Sequence, residues 1–154
     1  MQIGDFLTPK AVRAGLGVAN KKALFQQLAA LVETAHGVDH HAVLDCLLER
    51  ERLGSTGFGN GIALPHGKIA GLKRVIGVCV RLTHAIDFEA IDDLPIDLVF
   101  MLLSPVDGGA ELLKALALVS RMMRDEHFVA KLRGASSHDA LYALLGSLET
   151  AHAA

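Results

Sequence analysis

The segment Val75-Ile76-Gly77-Val78-Cys79-Val80-Arg81-Leu82 consists mainly of apolar residues, several of them β-branched. A short, continuous apolar run of this kind is typical of a strand that is buried on both faces of a sheet. A second run, Pro95-Ile96-Asp97-Leu98-Val99-Phe100-Met101-Leu102-Leu103, has the same character and ends at Ser104-Pro105. We therefore predict two buried strands.

Amphipathic helices are predicted before and after these strands, because apolar residues recur there at three- and four-residue spacing. Capping residues such as Asn20, Asp39 and Ser137, and closing glycines such as Gly37, set their limits. The predicted helices cover about residues 21–35, 39–53, 110–124, a short segment around 128–132, and 138–148. Helices that alternate with a few apolar strands predict an α/β sandwich, in which helices flank a small mixed β-sheet.

The composition predicts one domain, since a chain of 154 residues can bury roughly 70% of the surface that it exposes when unfolded. Hydrophobic residues make up 51% of the chain and tryptophan is absent, which predicts an aliphatic core and excludes disorder. The 15 basic and 17 acidic residues give a net charge of -2 without any run of like charges. We therefore expect neither a nucleic-acid-binding surface nor a polybasic membrane patch.

The chain carries no pattern that predicts membrane insertion or secretion. No apolar run reaches the roughly 18 residues that a membrane span needs, and the first residues lack the pattern of a signal peptide. We expect a cytoplasmic protein. Cys46 and Cys79 each lie in an apolar segment, so we interpret them as buried free thiols, with a disulfide as the alternative.

The candidate functional loop precedes the first buried strand and reads Gly54-Ser-Thr-Gly-Phe-Gly-Asn-Gly-Ile-Ala-Leu-Pro-His-Gly-Lys68. Glycines at this density allow the backbone to come close to a ligand. His66 offers a nitrogen nucleophile, and hydrogen-bond donors around it could hold the oxygens of a phosphoryl group. The pattern is consistent with a covalent phosphoryl acceptor, and the alternative is a glycine-rich turn that carries a surface histidine.

Polar groups in and beside this loop are candidates for binding an anion. Arg50 falls in the last turns of the preceding helix, where it either complements the helix dipole or orients a phosphate group. The full set of candidate phosphate-binding or partner-binding residues is Arg50, Ser55, Thr56, Gly59, Asn60, Gly61 and Lys68.

The sequence from Gly54 to Lys68 resembles the active-site signature of enzyme IIA proteins of the bacterial phosphotransferase system, mannitol/fructose class. Its second part, Gly-Asn-Gly-Ile-Ala-Leu-Pro-His-Gly-Lys, is most similar to the nitrogen-related branch of that class. Further similarity runs from about residue 20 to about residue 145 and includes Arg50-Glu51 and the segment Phe88-Glu89-Ala90-Ile91-Asp92. The resemblance implies that residues 1–154 form a single EIIA type-2 domain with an α/β fold.

The same resemblance implies a mechanism. His66 would be phosphorylated transiently on Nε2 by a small histidine phosphocarrier protein, and its state would control binding to regulatory protein targets. No metal, nucleotide or other cofactor is implied. The carrier is expected to dock on an apolar surface around His66, for which Phe58, Ile62 and Leu64 are candidates.

One position departs from the family pattern. The family usually has a second histidine at the start of the helix that follows the second strand, and this chain has Leu112 there. Leucine cannot donate the hydrogen bond that the second histidine would give to phosphoryl oxygens. Arg50 or Lys68 is the candidate replacement donor.

Three other patterns in the sequence could indicate a nucleotide site, a metal site or a general base. A nucleotide-binding P-loop is excluded by spacing, because five residues separate Gly61 from Gly67 and Ile69 stands where serine or threonine would bind magnesium. The histidines at 36, 40 and 41 suggest either a metal site or surface histidines, and Gly37 interrupts any helix that would align them. The acidic residues between 87 and 97 either hide a general base or form a polar connection.

Two alternative functions remain open from the sequence. A sugar-specific IIA component of the fructose or mannitol type would pass the phosphoryl group to a IIB domain. A non-catalytic interaction protein would have lost phosphoryl transfer together with the second histidine.

Overall fold

Five α-helices pack against a six-stranded sheet in the part of the chain that the structure describes. The computed structural model describes the backbone of residues 1–153 and the side chains of residues 1–147. The strands are β1 (Val12–Leu16), β2 (Gly57–Gly59), β3 (Ile62–Ala63), β4 (His66–Lys68), β5 (Ile76–Ile86) and β6 (Ile96–Ser104). The helices are α1 (Lys21–His36), α2 (His40–Arg52), α3 (Gly109–Met123), α4 (Glu126–Arg133) and α5 (His138–Ala153).

The sheet is mixed and is built around the two strands that the apolar runs predict. β5 and β6 pair antiparallel, and β1 lies parallel to β5 on the outer side. On its other side, β6 pairs in parallel with two short strands, with β3 at Leu98 and Val99 and with β4 further along. β2 completes the sheet by pairing antiparallel with β3. The predicted mixed α/β fold is confirmed.

The helix boundaries follow the capping residues. The Asn20 side chain accepts a hydrogen bond from the backbone N–H of Ala23 at 2.8 Å, and Gly37 adopts a left-handed conformation with φ of 70°. Asp39 caps α2, and Ser137 Oγ accepts from the N–H of Ala140 at 3.0 Å. These local signals place the helix starts close to where the sequence predicts them.

Two elements extend beyond their predicted ends. β5 continues past Leu82 to Ile86, and its residues 83–85 are exposed. The prediction stopped at Leu82 because an apolar run reports only the buried part of a strand. α5 continues to Ala153 rather than ending near residue 148, and residue 154 lies outside the described residues.

The core is aliphatic with a few aromatic contacts. Phe6 packs edge-on against Phe100, with ring centroids 6.1 Å apart, and Phe25 packs similarly against Phe88 at 6.0 Å. Both cysteines are free, as predicted; Cys79 is buried, whereas Cys46 is only half-buried. Among the described residues, every helix is too short or too polar to cross a lipid bilayer.

The glycine-rich stretch is drawn into the sheet rather than left as a free loop. His66 pairs with Leu102 and Lys68 with Ser104, so that β4 is fixed along the last half of β6. α2 packs against β4, and α3 packs against β6. The C-terminal end of α2 and the N-terminal end of α3 therefore flank His66.

Candidate functional site

A surface groove with a volume of about 670 Å³ opens beside His66, between α2, β4 and α3. Three of the residues singled out in the sequence line it together: His66, Arg50 and Lys68. The remaining lining residues are Cys46, Glu49, Leu53, Gly67, Gly109, Leu112, Leu113 and Leu116.

The imidazole of His66 is held through one of its nitrogens. Nδ1 lies 2.8 Å from the carbonyl oxygen of Leu64. A carbonyl oxygen can only accept a hydrogen bond, so Nδ1 carries the proton and Nε2 carries the lone pair. The ring therefore keeps Nε2 as its nucleophilic atom.

Burial lowers the pKa of His66 below its usual value of 6.5, because the half-buried ring loses solvent that would stabilise its charged form. The hydrogen bond to the Leu64 carbonyl opposes this shift. The positive charge of Arg50 lowers the pKa further, while the negative charge of Glu51 raises it. The net lowering leaves the imidazole neutral and nucleophilic near pH 7.

Two cationic side chains belong to the groove. Nη1 of Arg50 donates to the carbonyl oxygen of Gly54 at 3.0 Å, which ties the end of α2 to the following turn. Nζ of Lys68 lies beside the first residue of α3, 3.3 Å from the position that a Cβ on Gly109 would occupy. No side chain caps the N-terminus of α3. A lysine beside the positive end of a helix creates a position that favours an anion.

The close approach of α2 to β4 depends on a contact that the sequence did not reveal. A Cβ on Gly67 would collide with Sγ of Cys46, so only glycine fits between His66 and Lys68. Sγ of Cys46 donates a hydrogen bond to the carbonyl oxygen of Lys68 at 3.4 Å. Burial raises the pKa of Cys46, although this backbone hydrogen bond lowers it in part. Cys46 is thus a packed thiol in the floor of the groove.

Leucines form the apolar part of the groove. Leu53 and Leu113 are 79% and 69% exposed, which is unusual for such large apolar side chains. Leu112 is 7% exposed and Leu116 is half-buried, and both line the groove. Leu112 does line the groove that contains His66, as the family pattern predicted.

The apolar surface proposed from the sequence is wrong for two of its three residues. Ile62 is 1% exposed because β3 pairs with β6 in the core, and Leu64, directly after β3, is 6% exposed. Phe58 is half-buried and packs against the core. The exposed apolar surface at His66 comes instead from α2 and α3.

Thr56 and Ser55 make internal contacts rather than lining the groove. The Thr56 hydroxyl donates to Oε2 of Glu51 at 2.7 Å, and its backbone N–H donates to the same carboxylate. Oγ of Ser55 accepts from the N–H of Gly57 at 3.0 Å.

The hairpin turn between β2 and β3 faces a different partner. Arg133 forms a bidentate ion pair with Asp97, and its Nη2 also donates to the carbonyl oxygen of Asn60 at 2.7 Å. The N–H of Asn60 donates to Asp92 at 3.1 Å. Gly61 has φ of 82° and lies against the same guanidinium group. The groove is therefore not lined by five residues singled out as candidates: Ser55, Thr56, Gly59, Asn60 and Gly61.

The acidic segment and the histidine cluster lie outside the groove. Asp92 and Asp97 bind the β2–β3 turn and Arg133, as described above. Nδ1 of His40 lies 2.8 Å from Glu33. The ligand atoms of Glu33, Asp39 and His40 lie within 4.8 Å of one another at the connection between α1 and α2. α1 ends at His36 and α2 begins at His40, so no single helix aligns these histidines.

Comparison with known proteins gives matches along most of the chain. Residues 5–147 match the family model described as phosphoenolpyruvate-dependent sugar phosphotransferase system, EIIA 2. A nitrogen regulatory protein of Bradyrhizobium diazoefficiens is 44% identical over 145 residues, which cover 94% of this chain and 95% of that protein. A fructose-specific EIIA component of Haloferax volcanii is 37% identical over 131 residues, which cover 84% of this chain and 85% of that protein.

A solved structure gives the same result for the fold. The crystal structure of nitrogen regulatory protein IIA-Ntr from Neisseria meningitidis matches with a TM-score of 0.84 and 34% sequence identity. The match covers 93% of this chain and 98% of that one. The similarity in sequence and in fold thus extends over the elements that build the groove.

Proposed function

The chain belongs to the EIIA type-2 family of the phosphoenolpyruvate-dependent sugar phosphotransferase system, and on that basis we propose that His66 accepts a phosphoryl group from a histidine phosphocarrier protein. The phosphorylation state of His66 then controls binding to regulatory protein targets, as in a nitrogen-related IIA protein. Residues 1–154 act as one EIIA type-2 domain. The protein works in the cytoplasm, where its phosphocarrier is found.

The observation that carries this proposal is the hydrogen bond from Nδ1 of His66 to the Leu64 carbonyl oxygen. It supports an imidazole that is neutral and that presents Nε2 to the groove. A general base is not needed, because the attacking nitrogen already carries a lone pair. The transfer therefore does not require Cys46 or Glu49, which also line the groove.

The transfer is balanced without a net proton movement. Nε2 of His66 attacks the phosphorus atom of the carrier's phosphohistidine, and a new N–P bond forms as the old N–P bond breaks. The electron pair of the broken bond returns to the carrier's imidazole, whose other nitrogen keeps its proton throughout, so this ring changes from cationic to neutral. The His66 ring gains positive charge as the bond forms, and the Leu64 carbonyl oxygen stabilises that charge through Nδ1–H.

Lys68 and Arg50 supply the charge that the migrating phosphoryl group needs. The phosphoryl oxygens are negative throughout the transfer, and fixed cations stabilise them best where water is excluded. Lys68 lies beside the N-terminus of α3, where both its ammonium group and the free N–H groups of the helix favour an anion. Leu112 cannot donate a hydrogen bond, so Lys68 takes the part that the family's second histidine usually has.

The exposed leucines provide the docking surface for the carrier. Leu53 and Leu113 project on either side of the groove, and burying them against a partner would remove apolar surface from water. A dry interface around two imidazoles also prevents hydrolysis of the phosphoryl group during transfer. The apolar surface and the nucleophile thus serve the same step.

A second candidate function is that of a sugar-specific IIA component. The similarity to the fructose-specific component of Haloferax volcanii favours it, since that relative belongs to the same family. In that case the phosphoryl group would pass from His66 to a IIB domain. Rapid transfer to a purified fructose or mannitol IIB domain would support this second function over regulation.

The proposal is tested by intact-mass spectrometry after incubation with phosphoenolpyruvate, the first enzyme of the system and its phosphocarrier. The parent, His66→Ala and His127→Ala are compared at neutral or mildly alkaline pH; His127 is an exposed histidine on α4 that serves as a control. We expect one added phosphoryl group on the parent and on His127→Ala, and none on His66→Ala. An unmodified parent in the presence of charged carrier would indicate a non-catalytic interaction protein.

A further inference from the structure

Glu51 carries a nearly buried carboxylate that joins three segments of the chain. Its side chain is 7% exposed. Oε1 lies 3.0 Å from Nζ of Lys21 at the start of α1, and Oε2 accepts the Thr56 hydroxyl at 2.7 Å. The backbone N–H of Thr56 donates to both carboxylate oxygens, at 3.1 and 3.3 Å. Glu51 therefore fixes Thr56 relative to the ends of α1 and α2.

From Thr56, two further hydrogen bonds lead to the nucleophile. The backbone N–H of Leu64 donates to the carbonyl oxygen of Thr56 at 2.9 Å. The carbonyl oxygen of Leu64 in turn accepts from Nδ1 of His66 at 2.8 Å. A continuous series of hydrogen bonds thus links Glu51 to His66 through Thr56 and Leu64.

We propose that Glu51 is a positioning residue for His66, which acts through Thr56 and Leu64 to hold the imidazole in its Nδ1–H tautomer with Nε2 in the groove. The effect of Glu51 on the His66 tautomer is a property of the unphosphorylated protein and does not depend on phosphoryl transfer. The effect on the transfer rate rests on the proposed function.

The energetics of the site explain why Glu51 has little freedom to move. A buried carboxylate loses much of its hydration, so it must keep its compensating hydrogen bonds and its ion pair. Lys21 is itself constrained, because its ammonium group lies 4.2 Å from the centroid of the Phe88 ring. Thr56 is also buried, at 7% exposure. A rigid anchor of this kind can define where the Leu64 carbonyl points.

Charge alone is a competing explanation for any effect of Glu51 on His66. Arg50 and Glu51 come from the end of α2 and act on the ring with opposite signs, and Glu49 and Lys68 also belong to the groove. The variants must therefore separate the two effects. One must remove a hydrogen bond of Glu51 without changing any charge, and another must remove a charge on α2 without changing the hydrogen bonds that link Glu51 to His66. The chain offers residues for both controls.

Thr56→Val removes the hydroxyl that binds Glu51 and leaves all charges in place, whereas Thr56→Ser keeps the hydroxyl. Glu51→Gln removes the charge and one strong acceptor. Asp45→Asn removes a charge from an exposed position on the same helix and serves as the control. All variants are first checked for cooperative unfolding, and if Glu51→Gln fails to fold, the pair of Thr56 variants alone decides the question.

The readout is the ¹⁵N chemical shifts of the His66 imidazole, measured by NMR without any carrier. A change in stability alone would not alter the tautomer of a folded protein. We expect the parent, Thr56→Ser and Asp45→Asn to show the Nδ1–H tautomer, and Thr56→Val and Glu51→Gln to show a mixture of tautomers. An unchanged, single tautomer in folded Thr56→Val and Glu51→Gln would overturn the proposal.

Phosphoryl-transfer rates from a charged carrier form the second arm. We expect Thr56→Val and Glu51→Gln to be slower than the parent by about tenfold or more, since small displacements of a reacting group cost rate steeply. Thr56→Ser and Asp45→Asn should stay near the parent rate. If the parent itself is not phosphorylated, the proposed function fails, while the tautomer measurement still decides the role of Glu51.

Discussion

Nδ1 of His66 lies 2.8 Å from the carbonyl oxygen of Leu64, only two residues earlier in the chain. Pro65 stands between them, and its ring restricts the backbone that connects acceptor and donor. The backbone oxygen that fixes the ring is thus supplied by the segment that delivers the histidine. Since the hydrogen bond needs a proton on Nδ1, it also decides which nitrogen is free to react.

The lowered pKa of His66 makes stability depend on pH in a defined direction. The unfolded chain takes up the proton at its usual pKa of 6.5, whereas the folded protein takes it up only at a lower pH. Above pH 6.5, the usual pKa, the ring is neutral in both states and its full contribution to stability is present. This contribution is lost as the pH falls through the lower pKa of the folded protein. The free energy of unfolding of the parent should therefore decrease relative to that of His66→Gln on acidification.

Urea denaturation of both proteins at about pH 7.5 and about pH 5.5 measures this difference. An NMR titration of the His66 ring should independently give a midpoint below 6.5. A midpoint above that value, or a stability difference that is unchanged by pH, would contradict the assignment of a buried neutral ring.

Gly61 should be important for folding rather than for binding phosphate. It has φ of 82°, and a Cβ there would lie 2.6 Å from Nη2 of Arg133 and 3.2 Å from Oδ1 of Asp97. Gly71, with φ of 93°, has open space around it and is the matched control. We expect Gly71→Ala to cost about 1–2 kcal/mol from backbone strain alone. Gly61→Ala should cost roughly 1–3 kcal/mol more from crowding.

Denaturant unfolding of the two glycine variants checks this expectation. Equal destabilisation would mean that the ion pair between Arg133 and Asp97 moves aside without cost. A loss of phosphorylation in folded Gly61→Ala, with little loss of stability, would instead support the interpretation from the sequence that the Gly61 backbone binds the phosphoryl group.

Replacing Leu112 with histidine should accelerate phosphorylation. Leu112 lines the groove and is 7% exposed, so an imidazole there would face the same space as Nε2 of His66. One added hydrogen-bond donor to the phosphoryl oxygens should increase the rate by about tenfold or more. Leu112→Ala is the control, because it opens space without adding a donor. If both variants are phosphorylated at the parent rate, Lys68 and Arg50 already supply the hydrogen bonds that the phosphoryl oxygens need, and an added donor has no effect.

Leu113→Asp should weaken docking of the carrier. Leu113 is 69% exposed beside His66, and a charge at the centre of an apolar interface opposes its desolvation. Ile91 is 87% exposed but does not line the groove, so Ile91→Asp is the matched control. We expect Leu113→Asp to raise the KM for the charged carrier about tenfold, with little change in kcat. Equal KM values for the two variants would mean that the carrier docks elsewhere.

Much of the fold follows from local signals in the sequence. Asn20 and Gly37 mark the ends of α1 because capping is a short-range interaction. The two apolar runs predict β5 and β6 because a central strand has both faces buried. The short strands β2, β3 and β4 were not predicted, since a glycine-rich sequence has low strand propensity and their pairing comes from β6.

The site was predictable only in part. Arg50, His66 and Lys68 line one groove, whereas Asn60 and Gly61 face Arg133. Proximity in sequence misled here because the turn between β2 and β3 reverses the chain and separates the two halves of the glycine-rich stretch. Glu51 follows Arg50 in the part of the sequence that resembles the family. Nothing in its spacing, however, indicates that it binds Thr56.

The hydrogen bond from Nδ1 of His66 to the Leu64 carbonyl oxygen leaves the lone pair on Nε2, so we expect Nε2 to receive the phosphoryl group. The most direct measurement is ¹⁵N and ³¹P NMR of the protein after phosphorylation by its carrier, which reports the nitrogen that bears phosphorus. We expect phosphorylation at Nε2 of His66, with Nδ1 still hydrogen-bonded to the Leu64 carbonyl oxygen. Phosphorylation at Nδ1, or on any other histidine, would contradict it.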